Sequence, residues 1–168
     1  MSQLLNVWSL FTAVLLLSIN AASLGAHNPD QDAADHRNDE VERGRYLVQI
    51  AGCNDCHTPE YALHRGAVDE AYWLTGSRVG FEGPWGTTYP SNLRLLASEL
   101  SAEEWLIHAR RPMRPPMPWF SLRRMTDEDL TAMYRFIQTL GPAGTRAPAY
   151  EPPKQTAHVD VVRRWRAE

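Results

Sequence analysis

Gly44 to His57 reads GRYLVQIAGCNDCH, and this stretch decides how the rest of the chain is read. Upstream, Glu40 to Ala51 predicts a helix with Val41, Tyr46, Leu47 and Ile50 on a rough apolar face. Gly52 stops that helix, and the pattern Cys53-x-x-Cys56-His57 follows at once. Two thiols one helical turn apart, with an imidazole beside the second, form the pattern of covalent c-type haem attachment. Each thiol adds to a vinyl group on one porphyrin edge, and His57 then lies beneath the ring with a nitrogen toward the iron. Three other uses of a C-x-x-C pair fit less well. A structural zinc site needs four ligands, and with no second C-x-x-C it would have to recruit His64 and His108. A thiol–disulfide catalyst belongs near a strand–helix–strand pattern, which is absent. A plain disulfide closing so short a loop adds little stability.

Downstream, the elements are short and helical. Asp69 to Leu74 predicts a helical turn stopped by Gly76, and Gly76 to Asn92 reads as loop because Gly and Pro interrupt it repeatedly. Ser101-Ala-Glu-Glu104 is a capping box that opens a helix running to Arg111 and stopped by Pro112. Thr126-Asp-Glu-Asp129 opens another, with Leu130, Met133, Tyr134, Ile137 and Leu140 at helical spacing and Gly141-Pro142 at its end. Ala143 to Pro153 is Pro-rich and expected to run extended over the surface. No sheet of several strands and no internal repeat is expected. The fold class is therefore mostly α, with long loops and an extended C-terminal segment.

Composition and charge narrow the function. The chain has 168 residues, 43% of them hydrophobic and 22% charged, with a formal net charge of −3. A sequence pI near 6.1 gives no reason to expect a nucleic-acid partner. Met1 to Ala26 carries no charged side chain, and Val7 to Ile19 is almost continuously apolar, the length of a secretory signal's core. Its rival is an uncleaved anchor from Leu4 to about Leu24, the one case in which membrane contact is expected. Both place the remainder outside the cytoplasm, in the periplasm. His27 to Asp39 is acidic and poor in large apolar residues, and reads as a flexible linker. The expected organisation is a signal peptide or anchor over 1–26, a linker over 27–39, a domain over 40–153 and a tail over 154–168. A core of about a hundred residues is marginal alone, and a covalently fixed haem supplies apolar mass.

The segment Gly44 to His57 resembles the N-terminal helix and haem site of class I bacterial cytochromes c. Gly83-Pro-Trp-Gly-Thr87, Ser91-Asn-Leu93, Pro115-Pro-Met-Pro-Trp119 and Met125-Thr-Asp-Glu-Asp-Leu130 resemble segments of mono-haem periplasmic cytochromes and of the cytochrome subunits that serve dehydrogenases. The likeness spans roughly Glu40 to Pro153. It implies a small, mostly helical fold around one haem c, His/Met axial ligation of the iron and one-electron transfer rather than catalysis on a substrate. It also implies that the first and last helices cross near the haem, where Gly44 would permit close approach and Tyr46 and Tyr134 are candidate aromatic contacts.

Four methionines follow His57 in the chain. Met133 sits on the apolar face of the last helix and reads as core; Met125 precedes a capping box and suits a hydrophobic staple. Met113 lies in an Arg-rich stretch. Met117 stands between prolines, which forbid helix and reduce the entropy cost of holding its sulfur on iron, and the resembled motif places its ligand there. Met117 is thus the expected partner of His57, with Met113 and then His108 behind it. Arg78, Trp85, Tyr89 and Asn92 fall between the two ligands and are candidates for the haem edge or its propionates, or else turn and core residues. Arg110, Arg111, Arg114, Arg123 and Arg124 bracket the Met117 loop, either as a patch that steers an acidic redox partner or as a solvated surface. The expected role is a carrier that takes one electron from a dehydrogenase or quinol-oxidising complex and passes it toward an oxidase. A haem protein with an open sixth position that binds a gas is the alternative.

Overall fold

The computed structural model describes residues 28–153; the leader (1–26) and the tail (154–168) lie outside them. Six α-helices are present among the described residues: α1 (Pro29–Ile50), α2 (Cys53–His57), α3 (Leu93–Glu99), α4 (Ala102–Ala109), α5 (Trp119–Leu122) and α6 (Asp127–Leu140). A 3-10 turn (Glu70–Tyr72) and two short strands, β1 (Phe81–Gly83) and β2 (Gly86–Thr88), complete the regular structure.

The first helix corrects the expectation of a flexible linker before Glu40. α1 begins at Pro29, because Asn28 caps it by accepting a hydrogen bond from the Asp30 N–H at 3.1 Å. Proline at the first helical position and Asp30 and Asp32 in the first turn complement the N-terminal end of the helix dipole. The apolar face starts later, so only Gly44, Leu47 and Val48 of α1 are buried.

α1 packs against α6, and Gly44 sets their distance. A Cβ there would stand 1.9 Å from the Ala132 carbonyl oxygen, so no side chain fits at the crossing. Ion pairs Arg43–Asp129 and Arg135–Glu40 flank it. Tyr46 is half exposed, with the Arg43 guanidinium 5.9 Å from its ring. Tyr134 packs 5.9 Å from Trp105 and donates its hydroxyl to the Leu100 carbonyl. Beneath the crossing Val48, Leu74, Leu130, Met133, Phe136 and Ile137 form the centre of the core.

The box at Ser101 is reciprocal, whereas at Thr126 only the one-way cap forms. Ser101 and Glu104 bond reciprocally at the start of α4, and Thr126 accepts the Asp129 N–H at the start of α6. Arg94 finishes α6 from the other end: its buried guanidinium donates to the Leu140, Gly141 and Ala71 carbonyls. This side chain satisfies carbonyls that a helix C-terminus leaves without intrahelical partners.

Gly76 to Asn92 is not all loop. Pro84 and Trp85 form a two-residue turn between β1 and β2, with Phe81 opposite Thr88 and Gly83 opposite Gly86. The C-terminal segment runs extended, as expected, and pairs with the outer edge of β2. Thr87 and Glu151 exchange both backbone hydrogen bonds, at 2.8 and 3.0 Å. Gly86 makes this possible, since a Cβ there would sit 2.2 Å from the Glu151 carbonyl oxygen.

Candidate functional site

The site grows from the turn after α1. Gly52 adopts a left-handed conformation (φ 69°), which reverses the chain and starts α2 directly at Cys53. Within α2 the two cysteines are half-buried free thiols, and His57 is 8% exposed. Two backbone groups fix the histidine. The Gly76 N–H donates to the His57 carbonyl at 2.7 Å, and His57 Nδ1 stands 2.7 Å from the Ser91 carbonyl oxygen. That second contact assigns the ring proton to Nδ1 and leaves the Nε2 lone pair for a ligand. Burial lowers the imidazole's affinity for a second proton, and the Ser91 bond opposes this only in part. The ring is therefore neutral, the form that binds a metal.

Below α2, Thr58 is buried and donates to Asn54 Oδ1 at 2.7 Å while accepting the Leu74 N–H at 2.8 Å. This ties the Cys–His turn to the core. Burial pushes the Cys53 thiol up to about 12 and raises that of Cys56, against the free thiolate that a redox catalyst uses.

A cavity of about 250 Å³ opens beside this turn, lined by both cysteines, His57, Met113 and Met117. Its remaining walls are largely apolar, with Trp105 and Ala109 from α4 and Leu130 and Met133 from α6. A second cavity of about 220 Å³ adjoins it and shares His57, Phe81, Met113 and Met117. Its outer wall is more polar, with Thr88, Tyr89, Arg114 and Tyr150. An apolar slot that carries two free thiols and a neutral imidazole at one wall and thioethers at another fits a covalent porphyrin with axial iron ligands.

The residues singled out from the sequence divide. Cys53, Cys56, His57 and Met117 meet at one cavity, and Met113 and His108 line it too. Tyr89 lines the outer cavity but donates its hydroxyl to Glu151 at 2.7 Å. Trp85 lines neither; its ring covers Gly83, and its buried Nε1 has no hydrogen-bond partner among the described residues. Asn92 also lies off both cavities: it caps α3 through Oδ1, and its Nδ2 donates to the Ala143 and Thr145 carbonyls. Arg78 is exposed and away from both. Met133 is buried core, as expected, and also part of the cavity wall.

The bracketing arginines are largely committed. Arg110 donates to the Leu122 and Met125 carbonyls and pairs with Asp127, Arg114 stacks on Tyr150, and Arg123 lies 5.5 Å from the Trp119 ring. They hold the Met-bearing loop and α5. Sequence reasoning missed the Ser91 carbonyl, Phe81 and Tyr150. A main-chain oxygen has no residue-type signature, although Ser91 falls in one of the segments that carried the resemblance.

A cytochrome c family profile matches residues 41–141. The chain is 26% identical over 147 residues to the cytochrome c subunit of a quinone-dependent alcohol dehydrogenase from Gluconobacter oxydans, an alignment covering 81% of this chain and 27% of that protein. It is 29% identical over 133 residues to the corresponding subunit from Komagataeibacter europaeus, covering 71% and 25%. To the cytochrome subunit of fructose dehydrogenase from Gluconobacter japonicus it is 26% identical over 139 residues, covering 76% and 26%. The chain thus spans about a quarter of the length of these relatives. No solved structure matches it. With the profile covering the Cys53-x-x-Cys56-His57 motif, the 250 Å³ cavity, the second half of α1 and all of α6, the chain belongs to the cytochrome c family: an electron-transfer protein whose cofactor is a covalent haem c, with Cys53, Cys56 and His57 fitting the attachment motif.

Proposed function

We propose that this chain is an exported one-electron carrier with His57 and Met117 as axial ligands, working beside a dehydrogenase. The observation that carries the ligand assignment is that Met117 lines both cavities with His57. Met113 does so as well, but Met117 is the one held between prolines, and its carbonyl accepts the Trp119 N–H at 2.9 Å. A restricted backbone lowers the entropy cost of holding the sulfur in place. Haem in this slot supplies an iron that accepts one electron and releases it again. The polypeptide holds the His57 ring through Ser91, which makes Nε2 a better donor, and keeps water from the ring with its apolar walls. Although Trp85 lines neither cavity, its buried indole N–H has no partner among the described residues, which keeps it a candidate donor to the haem edge.

A dehydrogenase as electron donor is supported by relatives named as dehydrogenase cytochrome subunits. A quinol-oxidising complex is the other donor class, and an oxidase the acceptor. Export rests on the apolar leader over residues 1–26. No helix among the described residues is long and apolar enough to cross a membrane, so attachment would depend on that leader.

The test uses the full chain produced with haem maturation beside a quinone-dependent sugar or alcohol dehydrogenase. The holoprotein is expected in the exported fraction, to become ferrous on addition of the dehydrogenase's substrate, and not to bind carbon monoxide once reduced. A ferric holoprotein that stays oxidised beside a turning-over dehydrogenase contradicts that partner. Tight carbon monoxide binding would favour the gas-binding alternative.

A further inference from the structure

The C-terminal segment after α6 is stitched to the body at successive points. Asn92 Nδ2 donates to the Ala143 carbonyl at 2.7 Å and the Thr145 carbonyl at 3.2 Å. Arg146 pairs with Glu99 at 2.6 Å. The Tyr150 hydroxyl donates to the Trp85 carbonyl at 2.8 Å, Glu151 accepts from the Tyr89 hydroxyl, and Glu151 pairs with Thr87 through both backbone bonds. Eleven residues past α6, at Glu151, the chain is thus joined to the outer edge of β2 by a single β-bridge.

This bridged segment reaches the Met-bearing loop. The Arg114 guanidinium lies over the Tyr150 ring, 3.9 Å from its centroid, and Thr88 donates its hydroxyl to the Pro115 carbonyl at 2.7 Å. Between α4 and α5 the loop has no regular backbone pairing of its own. Its base is held by Arg110, which bonds to Leu122, Met125 and Asp127. Its far side is held by the Tyr150 stack and the Thr88 bond, supplied by the C-terminal segment and the hairpin. Tyr150 and Pro148 also line the outer cavity with His57, Met113 and Met117.

We propose that residues 143–151 are a strap that presses the loop onto the haem cavity, with Tyr150 and Arg114 as positioning residues for the Met117 sulfur. This rests on the His57/Met117 ligation argued above. The strap acts by raising the cost of lifting the loop, so loosening it frees the sixth position for an external ligand.

The experiment compares holoprotein with the wild-type sequence, Tyr150→Ala, Tyr150→Phe and Arg114→Ala. Three readouts are taken: the ferric far-red band of thioether ligation, imidazole affinity, and hydrogen exchange at the Trp119 amide, which donates to the Met117 carbonyl. In Tyr150→Ala and Arg114→Ala the band should weaken, imidazole should bind about fivefold more tightly and the Trp119 amide should exchange faster, the scale of losing one partly exposed cation–ring contact. Tyr150→Phe keeps the ring under Arg114 and loses only the bond to the Trp85 carbonyl, so it should fall between wild type and Tyr150→Ala, which separates the stack from general loss of fold. Unchanged Trp119 exchange and unchanged imidazole affinity in both alanine variants would overturn the strap. A wild-type holoprotein with no far-red band would instead overturn the ligation, and with it the positioning role, whatever the variants' exchange shows.

Discussion

Single atoms at two positions govern how close the haem-bearing parts come together. At Gly44 a methyl group would have to occupy the place of the Ala132 carbonyl, which belongs to the rigid backbone of α6. Gly44→Ala should therefore cost about 3 kcal/mol, the upper range for overpacking, because α1 must move off α6. The denaturant midpoint of the holoprotein checks this, and a midpoint equal to wild type would mean the crossing is looser than the geometry shows. At His57 the decisive partner is a carbonyl, not a side chain: Ser91 O fixes the ring. The cysteines and the histidine were legible in the sequence because their residue types carry the chemistry. Ser91 was legible only as part of a resembling segment, since any residue offers a carbonyl. Asn92 shows the opposite case, a residue whose type suits a propionate but which caps α3 and ties down the C-terminal segment.

Among the elements, those with a local signal were readable and those made by distant partners were not. The capping box of α4 and the N-cap of α6 sit where Ser101 and Thr126 place them. The start of α1 also had a local signal in Asn28-Pro29-Asp30, but the acidic composition of 28–39 pointed to a linker, and the helix is longer by its first eleven residues. The β1–β2 hairpin escaped notice because the glycines and proline that argued against regular structure are the turn itself. The C-terminal end of α6 depends on Arg94, 47 positions from Gly141 in sequence, a contact no local pattern reveals. Arg94→Met keeps the stem but strips donors from the Ala71, Leu140 and Gly141 carbonyls. A loss of about 2–3 kcal/mol is expected in urea unfolding of the holoprotein, with the haem spectrum retained. A loss below about 0.5 kcal/mol would indicate that water replaces the guanidinium without penalty.

For the whole molecule, the core and the haem site are one structure. Leu130 and Met133 belong to the buried core and to the wall of the 250 Å³ cavity, so the slot is a missing piece of the interior. The sequence anticipated this from size, since about a hundred residues bury too little to be comfortable alone. A double Cys53→Ser, Cys56→Ser variant should lose covalent haem, and its haem-free form should be less stable by on the order of 5 kcal/mol, the scale expected for an apolar void of this size. Denaturing gel electrophoresis stained for haem and thermal unfolding check the two parts separately. A haem-free variant that melts with the cooperativity and midpoint of the holoprotein would show that the polypeptide closes the cavity by itself.

The central claim is that Met117 sits opposite His57 on the iron, and the ferric far-red absorption of three holoproteins tests it most directly. The wild type should show the band, Met113→Ala should keep it, and Met117→Ala should lose it while retaining covalent haem. A band that survives in Met117→Ala and disappears in Met113→Ala would contradict the assignment and move the ligand four residues toward α4.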